Sequence, residues 1–378
     1  MFSDRKQLRI PGPTPVPHKV LAAGAGPMAN HRGPDFKSQL ANILERLKPV
    51  FQTENTIIGL TGSGTSAMEA AVANLINPND SVLVLSGGVF GDRWAQICRA
   101  FQADVHVLEY PWGEGIAPEA AADYLRRHSH IKAVFATHNE SSTGVLNDIA
   151  GIGAAIADFD CLYIVDAVSS LGGVDLKTDE WGIDVVCTAS QKCLMAPPGL
   201  AFISISNRAK ERMKAVSSPR FYLDLQSYLE MLERSETPYT PNISHFYALE
   251  EALNIIEAEG LEQIFSRHLL MRDMVRAGIS ALGLPLLVAD QWASPTVTAV
   301  KPDFDDVSGF VASLRDDFGV ELAGGQGRLA GRVFRIGHMG YATPLDMLTT
   351  LAAIETKLGR FGQATAAAEQ VWLQTVGG

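Results

Sequence analysis

Short apolar runs that recur between helical stretches constrain this fold more than any other feature. They are Thr56-Ile57-Ile58-Gly59-Leu60, Val82-Leu83-Val84-Leu85, Val105-His106-Val107-Leu108, Ala133-Val134-Phe135-Ala136, Leu162-Tyr163-Ile164-Val165 and Asp184-Val185-Val186-Cys187. Without sustained polar alternation, such runs read as strands buried on both faces. Their alternation with helices predicts a mostly parallel sheet, because each parallel pair needs a crossover and the crossover helices cover the faces. Leu200-Ala201-Phe202-Ile203-Ser204-Ile205 follows a short turn and is expected to run antiparallel.

Proline and glycine divide the rest. Residues 10–17, Ile-Pro-Gly-Pro-Thr-Pro-Val-Pro, cannot be helical and predict an extended arm or loop. A helix pattern begins near Asp35, with Phe36, Leu40, Ile43, Leu44 and Leu47 at helical spacing. Two long helices are expected between about Ile243 and Leu282, the first stopped by Gly260. Strands at 296–300 and 332–336 then alternate with helices near 307–318 and 344–361, and the alanine-rich stretch 364–369 reads as a terminal helix or frayed end. The expected architecture is α/β. An arm (1–20) precedes a large domain (21–258) whose mostly parallel sheet is flanked by helices, and a smaller C-terminal α/β domain (259–378) follows.

Charge and cysteine usage exclude several classes. A net charge of −11 argues against a nucleic-acid surface. Cys98, Cys161, Cys187 and Cys193 show no paired spacing, which predicts a reducing compartment and no metal site. Cys193 reads as a small buried thiol. No apolar run reaches the length needed to span a bilayer, so no membrane partner is expected. Met1-Phe2-Ser3-Asp4-Arg5-Lys6 lacks the apolar core of a secretion signal, and Gln374-Thr375-Val376-Gly377-Gly378 is no peroxisomal address, so the expected location is cytoplasmic.

The residues able to do chemistry lie where strands end. Thr61-Gly62-Ser63-Gly64-Thr65 leads from an apolar run into an alanine-rich helix, a turn whose free amides and hydroxyls suit a phosphate. It lacks the third glycine of a dinucleotide fingerprint, and a capped strand-to-helix turn fits it as well. Phe90 follows Gly87-Gly88-Val89 in a glycine-rich loop, suited either to stacking on a flat ring or to the core. Thr137-His138-Asn139-Glu140-Ser141-Ser142-Thr143-Gly144 is polar and follows another strand. Asp166 ends an apolar run, where a carboxylate is costly without a partner. Lys192 stands between an apolar stretch and the turn Pro197-Pro198-Gly199. A reactive amine and a strand-end carboxylate are the two protein groups that pyridoxal phosphate requires, one to bind it covalently and one to pair with its ring nitrogen. Arg335, inside the apolar stretch Val333-Phe334-Arg335-Ile336, needs an anion, either a substrate carboxylate or a structural acid.

Taken in order these segments resemble the class V aminotransferases of the pyridoxal-phosphate fold-type I superfamily, most closely the serine/alanine–glyoxylate aminotransferases. The resemblance rests on Pro11-Gly12-Pro13, Thr61 to Thr65, Glu140 to Val145, Val165 to Ser170, Asp179-Glu180-Trp181-Gly182, Ser190-Gln191-Lys192, Ala196-Pro197-Pro198-Gly199, Tyr239-Thr240-Pro241 and Phe334 to His338. It implies Lys192 as the Schiff-base lysine, Asp166 as the ring-nitrogen partner, Phe90 and Val168 on the two ring faces, and Ser141 beside the ring hydroxyl. It implies Ser63, Gly64, Thr65 and Gln191 around the phosphate, and Tyr239 and Thr240 reaching it from the second subunit of a homodimer. It implies Arg335 as the substrate-carboxylate clamp, with the loop through Gly12 bordering the substrate; His31 in Asn30-His31-Arg32-Gly33-Pro34 reads either as a substrate-pocket residue from the N-terminal arm or as a surface histidine. The ring-stacking position, often tryptophan or tyrosine in the family, is Phe90 here, and Thr65 stands where some members have histidine.

The implied reaction moves an amino group from a small amino acid, serine or alanine, to glyoxylate or pyruvate. Two related activities are alternatives, pyridoxamine–pyruvate and ureidoglycine–glyoxylate transamination. The first uses a free vitamer, for which a carboxylate would suit the phosphate turn, and Gly62-Ser63-Gly64-Thr65 carries none. A nucleotide-dependent oxidoreductase would leave Lys192 and Arg335 unused. A non-catalytic scaffold would not need them, and a cysteine desulfurase would need a cysteine in a mobile loop.

Overall fold

The computed structural model describes residues 6–376; the terminal segments discussed above lie partly outside them. Seven strands form the main sheet: β1 (Thr56–Thr61), β2 (Ser81–Ser86), β3 (Asp104–Glu109), β4 (Ala133–Thr137), β5 (Leu162–Asp166), β6 (Val185–Ala189) and β7 (Leu200–Ile205). Their spatial order is β1-β7-β6-β5-β4-β2-β3, and β7 alone runs antiparallel to its neighbours. The C-terminal ends of β1, β2, β4, β5 and β6 therefore meet along one edge, where ligands collect in open α/β sheets.

Apolar layers cover both faces. One joins Leu83, Val134, Tyr163 and Val186 to the helix Pro34–Phe51, whose Phe36, Leu40, Ile43, Leu47 and Val50 face inward at helical spacing. At about 1.5–3 kcal/mol for each large apolar side chain buried, that stripe is what fastens the helix. The other joins Val82, Phe135, Ile164 and Cys187 to helices Gly64–Leu75 and Val89–Ala100. The expectation of two-sided burial fails for β3. It is one of the two edge strands, exposed at both ends and half-buried between, whereas β1 at the other edge is buried in its middle.

A second sheet of three antiparallel strands, β8 (Val297–Val300), β9 (Ala323–Gly324) and β10 (Phe334–Gly337), has β10 in its centre. Its core includes Met271, Val275, Leu314, Phe334, Ile336, Leu351 and Ile354. The two long helices are Ile243–Glu259 and Leu261–Ala281, with Gly260 between them at φ 84°, a backbone angle that favours glycine. The helix expected over 344–361 stops at Lys357, and the alanine-rich tail is a full helix, Gln363–Val376.

The proline-dense stretch is non-helical as expected, but the helix His18–Gly24 starts inside the segment read as the arm. Before it, Gln7–Leu8 pairs in parallel with Val320–Glu321. Arg9 accepts from Gly337 N–H at its carbonyl (2.7 Å) and forms an ion pair with Asp346. The arm then crosses to the main sheet, where Thr14 donates through its N–H to the Gln191 carbonyl (3.0 Å) and through its hydroxyl to that of Lys192 (3.0 Å). No helix among the described residues is long and apolar enough to cross a membrane.

Candidate active site

Lys192 sits in the turn directly after β6, its amine bonded to the Pro11 carbonyl of the arm. Burial lowers its pKa to about 8, a fall that nearby Asp166 opposes and Arg335 and Arg93 reinforce. A neutral amine is thereby accessible near physiological pH. Gly12 borders the same atom: its φ is +119°, and a Cβ there would lie 2.5 Å from Lys192 Nζ.

Asp166 ends β5 and is buried. One carboxylate oxygen accepts from Val168 N–H (2.8 Å), and no other hydrogen bond reaches the group among the described residues. Burial raises its pKa to about 6, held from rising further by that N–H, Arg93 and Lys192. The lysine and the aspartate thus titrate under each other's influence.

Next to them is the helix Gly64–Leu75. Ser63 is its N-cap residue, yet the Ser63 side chain makes no capping bond. The reading of this turn as a serine-capped helix therefore fails. The helix N-terminus keeps its partial positive charge for an outside anion. Gly64 allows close approach to Val168, since a Cβ there would come within 2.7 Å of Val168 Cγ2. Thr65 accepts a long bond from Arg93 (3.4 Å). The Gln191 side-chain oxygen is buried with no partner.

Phe90 is not in a loop. It opens the helix Val89–Ala100, where the Phe90 and Gly91 N–H groups both donate to Glu140 (3.0 Å each). The Ser142 hydroxyl donates to the other Glu140 oxygen (2.5 Å) and accepts from Val89 N–H (3.1 Å). Glu140 is fully buried; desolvation raises its pKa to about 7 against the pull of those donors. The Arg93 guanidinium lies over the Phe90 ring, 4.7 Å from its centroid.

Arg335, on β10, reaches across from the small sheet. It donates through Nε to the Gly324 carbonyl (2.9 Å) and through Nη1 to that of Ser141 (2.8 Å). No carboxylate pairs with it among the described residues, and burial lowers its pKa to about 10. Ser141 is buried, and its hydroxyl makes no protein hydrogen bond among the described residues.

The fold thus gathers Gly12, Ser63, Gly64, Thr65, Phe90, Ser141, Asp166, Val168, Gln191, Lys192 and Arg335 at one sheet edge. Tyr239, Thr240 and His31 share no hydrogen bond with these residues among the described ones. Tyr239 stacks on Tyr222 (5.1 Å, 20°) and donates to the Phe221 carbonyl (3.2 Å), beside exposed Phe221 and Thr240. His31 lies in a turn whose next residue, Arg32, bonds Glu236 and the Pro238 carbonyl (3.2 Å). Sequence reading assigned no role to Glu140 or Arg93. Arg93 was within reach, three residues from Phe90 on one helix face. Cys193 is buried, and burial pushes its thiol up to about 12, as an inert thiol requires.

The model of the family described as Aminotransferase class-V matches residues 11–329. This chain belongs to that family. It is 36% identical to the L-aspartate–glyoxylate aminotransferase of Paracoccus denitrificans, over 99% of this chain and 98% of the other. It is 42% identical, over 96% and 95%, to a Synechococcus protein named soluble hydrogenase, small subunit. Among solved structures, the pyridoxamine–pyruvate aminotransferase of Mesorhizobium loti superposes with a TM-score of 0.94 at 32% identity, over 97% of each chain. The chain is an aminotransferase with the α/β fold of these enzymes.

Proposed function

We propose that this aminotransferase uses pyridoxal phosphate to move an amino group from a small amino acid, serine or alanine, to glyoxylate or pyruvate in two alternating half-reactions. The observation that carries the reading is an amine and a buried carboxylate close enough to bias each other's titration, beside a buried guanidinium that no acid pairs with among the described residues. The residues present fit the coenzyme. Asp166 has an oxygen to spare for a ring nitrogen, the Ser63–Thr65 helix start has unused donors for a phosphate, and Gln191 has a buried amide oxygen without a partner. Phe90 and Val168 would hold the ring between them. When bound, the coenzyme supplies the electron sink that makes an amino acid's α-proton removable.

The chain supplies the rest. Arg335 grips the substrate carboxylate and so fixes which α-bond faces the lysine. Lys192, with a pKa brought near neutrality, takes that proton and returns it on the coenzyme side. Asp166 keeps the ring nitrogen protonated. Gly12 and the Pro11 carbonyl close the pocket above the amine.

The turn Gly62-Ser63-Gly64-Thr65 has no carboxylate to repel a phosphate, which supports a resident phosphorylated coenzyme over a free vitamer as substrate. The name soluble hydrogenase belongs to the Synechococcus relative and is not carried to this chain. Among the described residues no cysteine joins a cluster of three or more metal-ligating side chains, which supports transamination here. Tyr239 and Thr240, beside exposed Phe221 (78%), fit a role at the partner's phosphate in a homodimer. We place the enzyme in the cytoplasm and divide the chain into arm, large and small domains near residues 20 and 258.

The test is spectroscopic. Purified protein should absorb in the visible, lose that band on adding serine or alanine, and regain it with glyoxylate or pyruvate. Borohydride should fix the coenzyme to the peptide carrying Lys192. Colourless protein that gains no band with pyridoxal phosphate would overturn the reading.

A further inference from the structure

We propose that Asp104, His106 and His130 form a site for a divalent transition-metal ion of the zinc class, at the open edge of the main sheet. One ligand atom from each of these residues lies within 4.8 Å of the others. Asp104 and His106 are two apart on edge strand β3, so both side chains leave the same face. His130 comes from the connection between the helix Pro118–Arg127 and β4. The cluster sits at the start of β3, whereas Lys192 and its neighbours lie at the opposite, C-terminal ends of the strands.

The orientation is already set. The His106 Nδ1 and Tyr124 hydroxyl are 2.8 Å apart, leaving Nε2 to face an Asp104 oxygen at 3.0 Å. That oxygen also accepts from the Ser81 hydroxyl (2.7 Å). Two ligands thus have the supporting hydrogen bonds that fix ligand direction in metal sites. His128 stacks on Tyr124 (4.4 Å, 21°), with its ring 5.5 Å from that of His106 and 5.9 Å from that of His130, close enough to supply a fourth ligand. Metal–ligand bonds of about 2.0–2.2 Å require the donors to draw in by roughly 1 Å. Asp104 and His130 are exposed, so rotating them costs little packing. Two or three imidazoles with one carboxylate favour zinc, copper or nickel over magnesium or calcium. On binding, the ion takes the place of a proton on His106 Nε2, and the neutral ring keeps its one proton on Nδ1, donated to the Tyr124 hydroxyl. The bound ion would tie the edge strand β3, across β2, to the connection that enters β4.

This departs from the metal-free expectation drawn from the cysteines, since the ligands are imidazoles brought together by the fold. The test is calorimetric titration of chelator-treated, coenzyme-saturated enzyme with zinc chloride, alongside His106→Ala and His130→Ala. We expect one ion per chain, an affinity lowered at least about tenfold in each variant, and transamination unchanged in both. A zinc-dependent rise in melting temperature should appear in the wild type and vanish in the variants. Absence of saturable zinc binding, equal affinity in both variants and the wild type, or magnesium binding as tightly as zinc would each overturn the proposal.

Discussion

Replacing Arg335 by lysine keeps a positive charge and removes the planar fork. In the structure two of its five N–H donors are committed to the carbonyls of Gly324 and Ser141, which leaves three for a ligand. A carboxylate gripped by two of these gains two charge-assisted bonds of about 1.5–3 kcal/mol each. Lysine can replace about one of them, so the substitution should cost about 1.5–3 kcal/mol, or roughly 10- to 150-fold in kcat/KM. Alanine is a poorer probe, because it also bares two buried carbonyls at about 1–3 kcal/mol apiece. The assay is single-turnover absorbance of the coenzyme band with an amino acid, and separately with the matching amine that lacks the carboxylate. Wild type should prefer the amino acid strongly, and Arg335→Lys should lose most of that preference while its rate with the amine stays the same. An unchanged preference, with melting temperature preserved, would show that Arg335 serves the fold alone.

Other substitutions probe the rest of the pocket. Gly12→Ala puts a methyl 2.5 Å from the Lys192 nitrogen at a φ of +119°; coenzyme content per folded chain, read from the absorbance ratio, should fall sharply, and full occupancy would refute that contact. Ser63→Ala with Thr65→Val should weaken pyridoxal phosphate by about tenfold or more and leave binding of pyridoxal, which has no phosphate, unaltered; equal losses by equilibrium dialysis would contradict the phosphate assignment. Glu140 carries a folded-state pKa raised from 4.5 to about 7, so its contribution to apoprotein stability is fully present below about 4.5 and lost as pH rises through 7. Urea melts should accordingly show wild type losing stability relative to Glu140→Gln between those pH values and no further above them, and parallel curves would rule this out. The depressed pKa of Lys192 predicts that coenzyme uptake by the apoenzyme accelerates as pH rises through about 8, which stopped-flow absorbance can check.

The sequence made the strands and long helices readable because each carries its own period: runs buried on both faces in β4 to β7, and a stripe of apolar residues along Pro34–Phe51. Lys192, Asp166 and Arg335 were readable for a related reason, since a charge at the end or in the middle of an apolar strand demands an explanation. The exposure of β3 was not readable, because strand order depends on pairings between distant segments. Nor was the part played by Glu140, whose N–H donors Phe90 and Gly91 lie some fifty positions earlier in the chain. Phe90 was placed in a loop because Gly87 and Gly88 mask a helix start that only the distant carboxylate completes. His31 remained ambiguous for lack of any local pattern.

The route of residues 7–14 has a bearing on biosynthesis. Gln7 and Leu8 dock on Val320 and Glu321, and Thr14 fastens to the turn that holds Lys192. The docking segment is translated long before its partner strand. Until then the roof over the amine has only its Thr14 fastening, so a nascent chain completes its large sheet before it can fully enclose a coenzyme.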